Sequence, residues 1–475
     1  MTFWLGNVPG TTRVAHGYNP KMRQQFLCSV MLVTLAFDAP VVGQAPVKGA
    51  DLAALRVPYT EFTLVNGLHV ILHRDASVPV VSVNVWYHVG SGSEKPGRTG
   101  FAHLFEHLMF EGSKNVPEGS FDTWLEATGG NNNGSTTTDR TNYFIDIPSN
   151  ALDLALFLES DRMAYLLDTM TPARVDGQRD VVKNERRQSY ENQPYGRAFL
   201  EIFGMLYPKN HPYSWPTIGS MEDLSAASHQ DVVDFFKTYY APNNASLVIA
   251  GDIDLGETRK LVEKWFNEIP RGPAVPPIAP PAVMLDEVKT HTMTDKVQLP
   301  RLYMAWHTPA IYEPGDAAMD IAAGLLTGGK NARLYRRLVY DLQIAQDVNA
   351  FQQSQALGSV FLIMATARPG QSLDKIRQVI DEEMDKLRTT PAEEREMART
   401  MNQVEANFFR QMERVGSFGG KADQLNAYYT RTGMPDYFAE DLSRYRALSA
   451  TDITSAISHY LPKDKRVELS VVPEK

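Results

Sequence analysis

Sixteen residues near the middle of the chain, Ile269 to Met284, read IPRGPAVPPIAPPAVM and contain six prolines. Proline has no N–H to donate and a fixed φ, so this stretch can be neither helix interior nor central strand; it reads as a stiff, extended linker. The linker, residues 270–285, separates a half spanning 46–269 from one spanning 286–475, each close to the usual size of a domain.

The halves open alike. In the first, FTLVNGLHVILHR has the pattern of a hairpin turning at Asn66-Gly67, and VVSVNVWYHVGSGSE that of a strand running into a loop. In the second, RLYMAWHTPAIYEPGD repeats the strand, with Trp306-His307 where the first half has Trp86-Tyr87-His88. Helical stretches follow at Gly100 to Glu111 and at Ala317 to Leu326. Further along, NALDLALFLESDRMAYLL and SLDKIRQVIDEEMDKL carry apolar residues at three- and four-residue spacing. The shared order predicts an internal duplication. The expected fold class is α+β: two homologous α/β-sandwich halves, each a mixed, mostly antiparallel sheet with helices packed on it, joined by the proline-rich linker.

A chain of 475 residues, 43% of them hydrophobic, has apolar surface for more than one core. Its net charge of -9 is spread without a basic stripe, which removes the electrostatic reason to expect nucleic acid or an anionic membrane as partner. Residues 1–45 stand apart. Lys21 and Arg23 precede an apolar run from Phe26 to Phe37, and small residues follow around Gly43 and Ala45. That layout predicts a secretory signal peptide cleaved after Ala45, with Met22 as an alternative start, and a periplasmic or secreted mature chain. The 12-residue apolar run is short of the ~20 residues that span a bilayer, so no integral span is expected in the mature chain. The single cysteine, Cys28, lies within this segment; the mature chain then has no thiol, which excludes cysteine catalysis and Cys-ligated metals.

The run GFAHLFEHLMFEGS, Gly100 to Ser113, places His103 and His107 one helical turn apart on one face, with Glu106 about 60° to the side of His103. Two imidazoles so placed can hold one Zn²⁺ while the carboxylate reaches a water on it, and H-x-x-E-H is the inverzincin order. Burying these groups among Phe101, Leu104, Phe105, Leu108 and Phe110 is costly unless a cation compensates. A hydrolytic zinc site takes three protein ligands and leaves a fourth position for water. In VDGQRDVVKNERRQSYEN, Glu185 lies four residues after Val181 and three after Val182. It is therefore expected to share their inward face, ahead of Glu111, Glu126 and Glu159 as the third ligand.

HLFEH, with 77 residues between His107 and Glu185, resembles the pitrilysin/insulinase family of zinc metallopeptidases. The resemblance runs over most of the chain from about Tyr59 and takes in GGNNNGSTTTDRTNYFIDIP, the linker and the duplicated halves. Within the family the chain is most similar to the short bacterial members and to the mitochondrial processing peptidase β subunit. The resemblance implies a zinc endopeptidase with one Zn²⁺ per chain on His103, His107 and Glu185, and Glu106 as catalytic base. It also implies that Asn133 lies near the substrate carbonyl and that the following strand holds an extended peptide by strand addition. By itself, that stretch reads only as a Gly/Asn turn entering a strand.

The chain departs from the family twice. Seven residues before Glu185, many members carry a second glutamate; here it is Gln178, an amide that can hydrogen-bond a ligand but adds no charge. In RLYRRLVYDLQIAQDV, Val339 and Gln346 stand where active members supply an Arg and a Tyr to the tetrahedral oxyanion and the substrate. Neither side chain can do that work. The resemblance therefore implies the zinc-bearing subunit of a hetero-oligomer, completed by a homologous chain that donates Arg and Tyr. The alternatives are a non-catalytic scaffold of the same fold, which generally loses the zinc residues kept here, and a zinc-binding protein, for which Glu106 would be unnecessary.

Other features read blandly. GLLTGGKN, Gly324 to Asn331, imitates a phosphate-binding loop but has Asn331 where Ser or Thr would hold Mg²⁺, and it follows a helical run. His69, His73, His88, His211, His229, His291, His307 and His459 have no partner at ligand spacing and read as surface or core residues. N-terminal sequencing of the chain isolated from its native host is expected to begin at Pro46; a mature chain starting at Met1 would overturn the export reading.

Overall fold

The structure, a computed structural model, describes residues 52–474; the segment read as a signal peptide lies outside them. Among the described residues the strands form two sheets. The first holds β1 (Thr60–Thr63), β2 (His69–Arg74), β3 (Val80–Tyr87), β4 (Asn131–Thr136), β5 (Thr141–Pro148) and β6 (Ala245–Gly251), in the order β1-β2-β6-β3-β5-β4. The second holds β7 (Lys289–Asp295), β8 (Arg301–Thr308), β9 (Ala345–Gln353), β10 (Ser359–Ala367) and β11 (Val467–Pro473), in the order β7-β11-β8-β10-β9.

The two orders correspond strand for strand once β1 is set aside. Even the single parallel pairing recurs: β2 with β6 in one sheet, β7 with β11 in the other. All other neighbours are antiparallel. The duplication expected from the chain's two similar openings is thus written in the strand order. Between the sheets, residues 270–286 form no helix or strand, as six prolines require. The helices expected at 100–111 and 317–326 span Phe101–Leu108 and Asp316–Thr327. Gly324 falls inside the latter, so the phosphate-loop imitation is a helix C-terminus. No helix among the described residues is long and apolar enough to cross a membrane.

Side chains alternate across a strand, and each sheet uses both faces. Val81, Val83 and Val85 of β3 join Leu247 and Ile249 of β6 and Tyr143 and Ile145 of β5 in one core, beneath the helix Leu152–Tyr165. The intervening Ser82, Asn84 and Trp86 point the opposite way and are buried too. They are covered by the helix Lys421–Thr432, which comes from the second half.

A buried polar network makes that junction. Asp423 accepts hydrogen bonds from Trp86 Nε1 at 2.9 Å, Asn142 Nδ2 at 2.8 Å and the Gly419 amide at 2.9 Å. Asn426 donates to the Asn84 carbonyl at 3.0 Å and to Asn84 Oδ1 at 2.8 Å, and accepts from Ser246 Oγ at 2.6 Å. The exchange is reciprocal. The helix Ala198–Leu206 of the first half lays Ala198, Ile202 and Leu206 against Tyr303, Leu362 and Leu469 of the second sheet. Each half therefore lends a helix to the other's sheet, and the chain from Leu52 onward is one compact unit.

Replacing Asp423 with alanine strands two buried donors and the half-buried Gly419 amide, at a cost of about 1–3 kcal/mol for each unsatisfied buried group. Urea unfolding of Asp423→Ala is expected to show a loss of about 3 kcal/mol or more; an unchanged midpoint would show that the network carries none of the junction.

Candidate metal centre

The helix Phe101–Leu108 owes its orientation to an amphipathic split. Phe101, Ala102, Leu104, Phe105 and Leu108 are buried, with Phe105 stacked on Phe235 at 5.2 Å. His103, Glu106 and His107 take the remaining face. Gly100 starts the helix at φ 90°, a conformation that favours glycine. A Cβ there would come within 3.0 Å of Gly219 Cα and 2.9 Å of the Ile218 carbonyl oxygen. The Glu94 carboxylate serves the buried N-terminal end of the helix, accepting from the amides of Gly100 at 2.9 Å and Ala102 at 2.8 Å. Burial pushes the Glu94 carboxyl up to about 8, against the pull of those amides.

Glu185 arrives on the helix Pro172–Arg186, which is capped by Thr171 and begins with a proline. Its buried positions are Val175 and Val182, seven residues apart. Val181, expected to point inward with Glu185, is instead 45% exposed. Residues 181 and 182 stand about 100° apart on a helix, so the stripe that buries Val182 leaves Val181 on the outer flank. Glu185 falls between the two in helical angle, at the edge of the buried stripe, with its side chain 40% exposed. At the helix end, Arg186 donates to the Gly219 carbonyl, so both helices are tied at the point where Gly100 and Gly219 touch.

The two helices bring His103, His107 and Glu185 together, with one ligand-capable atom of each lying within 4.8 Å of the others. Glu185 Oε2 is 3.2 Å from His107 Nε2 and 3.6 Å from His103 Nε2. Ligands about 2.0–2.1 Å from a tetrahedral zinc sit about 3.3 Å from one another, so the two carboxylate–imidazole distances and the two-nitrogen, one-oxygen donor set suit such an ion. The rings of His103 and His107 are 4.9 Å apart and nearly perpendicular. His103 Nδ1 is buried without a hydrogen-bond partner.

Burial holds His103 below the usual imidazole range, although the carboxylates of Glu106 and Glu185 pull the other way. At His107 burial also opposes the charge, but the Glu185 hydrogen bond and the nearby carboxylates outweigh it and raise the value. Glu185 is lowered in turn: burial opposes its charge, and the hydrogen bond from His107 overcomes that penalty.

The other ligand candidates lie elsewhere. Glu159 is fully buried and bound to Arg162, Glu126 is exposed, and Glu111 Oε1 accepts from Gln178 Nε2 at 2.5 Å. Gln178 thus engages a carboxylate four residues beyond His107. Glu106 Oε2 accepts from Thr136 Oγ1 at 2.6 Å. Asn133, expected in a turn ahead of a strand, is instead exposed within β4, its side-chain oxygen taken by the Gly134 amide at 2.8 Å; β4 is the edge of the sheet, and the strand that follows, β5, is internal. Val339 packs partly buried against the second core, and Gln346 is exposed on β9.

Two neighbours of the centre escaped the sequence reading: Glu94 and Thr136. Glu94 had a detectable signal, an acid shortly before a helix start that lacks a capping side chain. Thr136 had none, since its partner is set by how β4 crosses the motif helix.

Comparison with known proteins agrees with this geometry. The family model described as "Insulinase (Peptidase family M16)" matches residues 69–203, and the one described as "Peptidase M16 inactive domain" matches residues 226–404. The chain is 30% identical over 361 residues to the zinc protease PqqE of Helicobacter pylori, covering 74% of this chain and 78% of that one. It is 27% identical over 238 residues to the mitochondrial-processing peptidase subunit beta of Blastocladiella emersonii, half of each chain. The crystal structure of a protease from Helicobacter pylori superposes with a TM-score of 0.82 at 27% identity, covering 88% of this chain and 100% of that one. Matched in both halves and over most of a curated relative, the chain belongs to the insulinase family, peptidase family M16.

Proposed function

We propose that this chain is the zinc-bearing subunit of an exported metalloendopeptidase, completed by a homologous partner. One observation carries the reading: two imidazole nitrogens and a carboxylate oxygen converge at a zinc-like spacing, with a second carboxylate, Glu106, on the same helix face. His103, His107 and Glu185 would hold the ion. A bound Zn²⁺ supplies acidity to a water and polarises a carbonyl. Glu106 then takes the proton of the attacking water and passes it to the leaving amine.

The substrate path follows from the sheet. β4 is an edge strand of the first sheet, and a Cβ at Gly134 would lie only 3.2 Å from Glu106 Cγ. An extended peptide pairing with that free edge runs beside the base, with the exposed Asn133 facing its backbone. This supports peptides in extended form as the substrate class.

The partner reading rests on Val339 and Gln346, which offer neither a cation nor a phenol for the developing oxyanion. That a relative is itself named as a subunit supports it. Export rests on the segment before Pro46.

Glu106→Gln is expected to retain one zinc per chain while peptide cleavage falls at least ~10²-fold; unchanged cleavage would remove Glu106 from the reaction. The isolated chain is expected to cleave ~10²- to 10³-fold more slowly than the chain mixed with its homologous partner. Full activity from the isolated chain in a peptide-library assay would refute the need for a partner.

A further inference from the structure

We infer that Thr136 is the positioning residue for Glu106, and that the turn following it is locked by the second half of the same chain. This rests on the peptidase reading for the role of Glu106, and its geometry stands separately.

Glu106 has two carboxylate oxygens. The Thr136 hydroxyl donates to Oε2 at 2.6 Å, which restrains the side-chain torsions of the carboxylate. Thr136 is the last residue of β4, so its hydroxyl is only as steady as the residues 137–140 that lead into β5.

Those residues are held from two directions. From the first half, the amides of Ser91 and Gly92 donate to the carbonyls of Thr137 at 3.1 Å and Thr138 at 2.7 Å. Gly90 lies so close that a Cβ there would come within 2.4 Å of the Thr137 carbonyl oxygen. From the second half, Gln355 Nε2 donates to Thr138 Oγ1 at 2.8 Å, the Ala356 amide donates to Asp139 Oδ2 at 3.0 Å, and Arg431 pairs with the same oxygen at 3.1 Å. Tyr213 donates its hydroxyl hydrogen to Asp139 Oδ1 and accepts from the Leu357 amide at 3.0 Å, bridging the two halves.

Asp139 is thus the knot of the turn. Its two oxygens take a phenol, an amide and a guanidinium, and it sits three residues from the hydroxyl that holds the base. A contact made more than two hundred residues away in sequence thereby sets the aim of Glu106. No such role follows from the metal motif, whose residues all lie in the first half.

The test is kinetic and structural. In the zinc-loaded chain assayed with its partner, Thr136→Val is expected to lower kcat on the order of 10²-fold, with KM and zinc content unchanged. Thr136→Ser, which keeps the hydroxyl, is expected to restore it. Equal kcat for Thr136→Val and the natural chain would overturn the assignment. Asp139→Ala is expected to lower kcat in the same sense; natural kcat in that variant would overturn the part given to the second half.

Crystal structures of the variants supply a readout independent of cleavage. The Glu106 carboxylate is expected to leave its place in Thr136→Val and keep it in Thr136→Ser. Were the natural chain to bind zinc and cleave nothing, the peptidase reading would fall. An unmoved carboxylate in Thr136→Val would then overturn this inference, and a displaced one would sustain it.

Discussion

Two imidazoles on the polar face of a helix whose other face is apolar meet a carboxylate from a second helix, and the surrounding fold is organised to keep them together. Removing such groups from water is unfavourable unless they are paired or bind a cation. The hydrogen bond between His107 and Glu185 raises the imidazole and lowers the carboxylate. The same three side chains would hold a divalent ion, which offsets the cost of their burial. The donors come from two helices, so the set exists only while those helices keep their relation. Gly100, Gly219 and Arg186 fix it at one point of contact.

The same economy governs the larger architecture. A sheet with helices on one face would leave Asn84, Trp86 and Asn142 in water. Here they meet Asp423 and Asn426 on a helix lent by the second half. The return loan, the helix Ala198–Leu206, follows the Glu185 helix in the chain and packs on the second sheet. The segment that supplies one candidate ligand therefore ends on the opposite half. A duplicated unit whose two copies exchange helices in this way is a rigid frame, with the candidate site built on the first copy and steadied by the second.

Much of this was legible in the residues alone. The prolines at 270–281 marked the division, the repeated strand patterns foretold the matching sheets, and His103, Glu106 and His107 announced themselves by helical spacing. Glu185 was reachable through Val182, although Val181 was misplaced because a two-residue apolar pair cannot say which member faces the core. What stayed hidden was everything fixed by the meeting of distant segments. Nothing in the run containing Asp423 says that it will lie on another half's sheet, and nothing in the threonine run 136–138 says which hydroxyl will reach Glu106. Periodicity reports which face of an element is buried; it does not report against what.

Whether His103, His107 and Glu185 hold one zinc ion together is decided by elemental analysis of carefully prepared, undepleted chain, set beside His103→Ala and Glu185→Ala variants shown to be folded. One zinc per natural chain and loss of stoichiometric metal in both variants is the expected result. A natural chain free of zinc, or variants that keep it in full, would remove the metal centre.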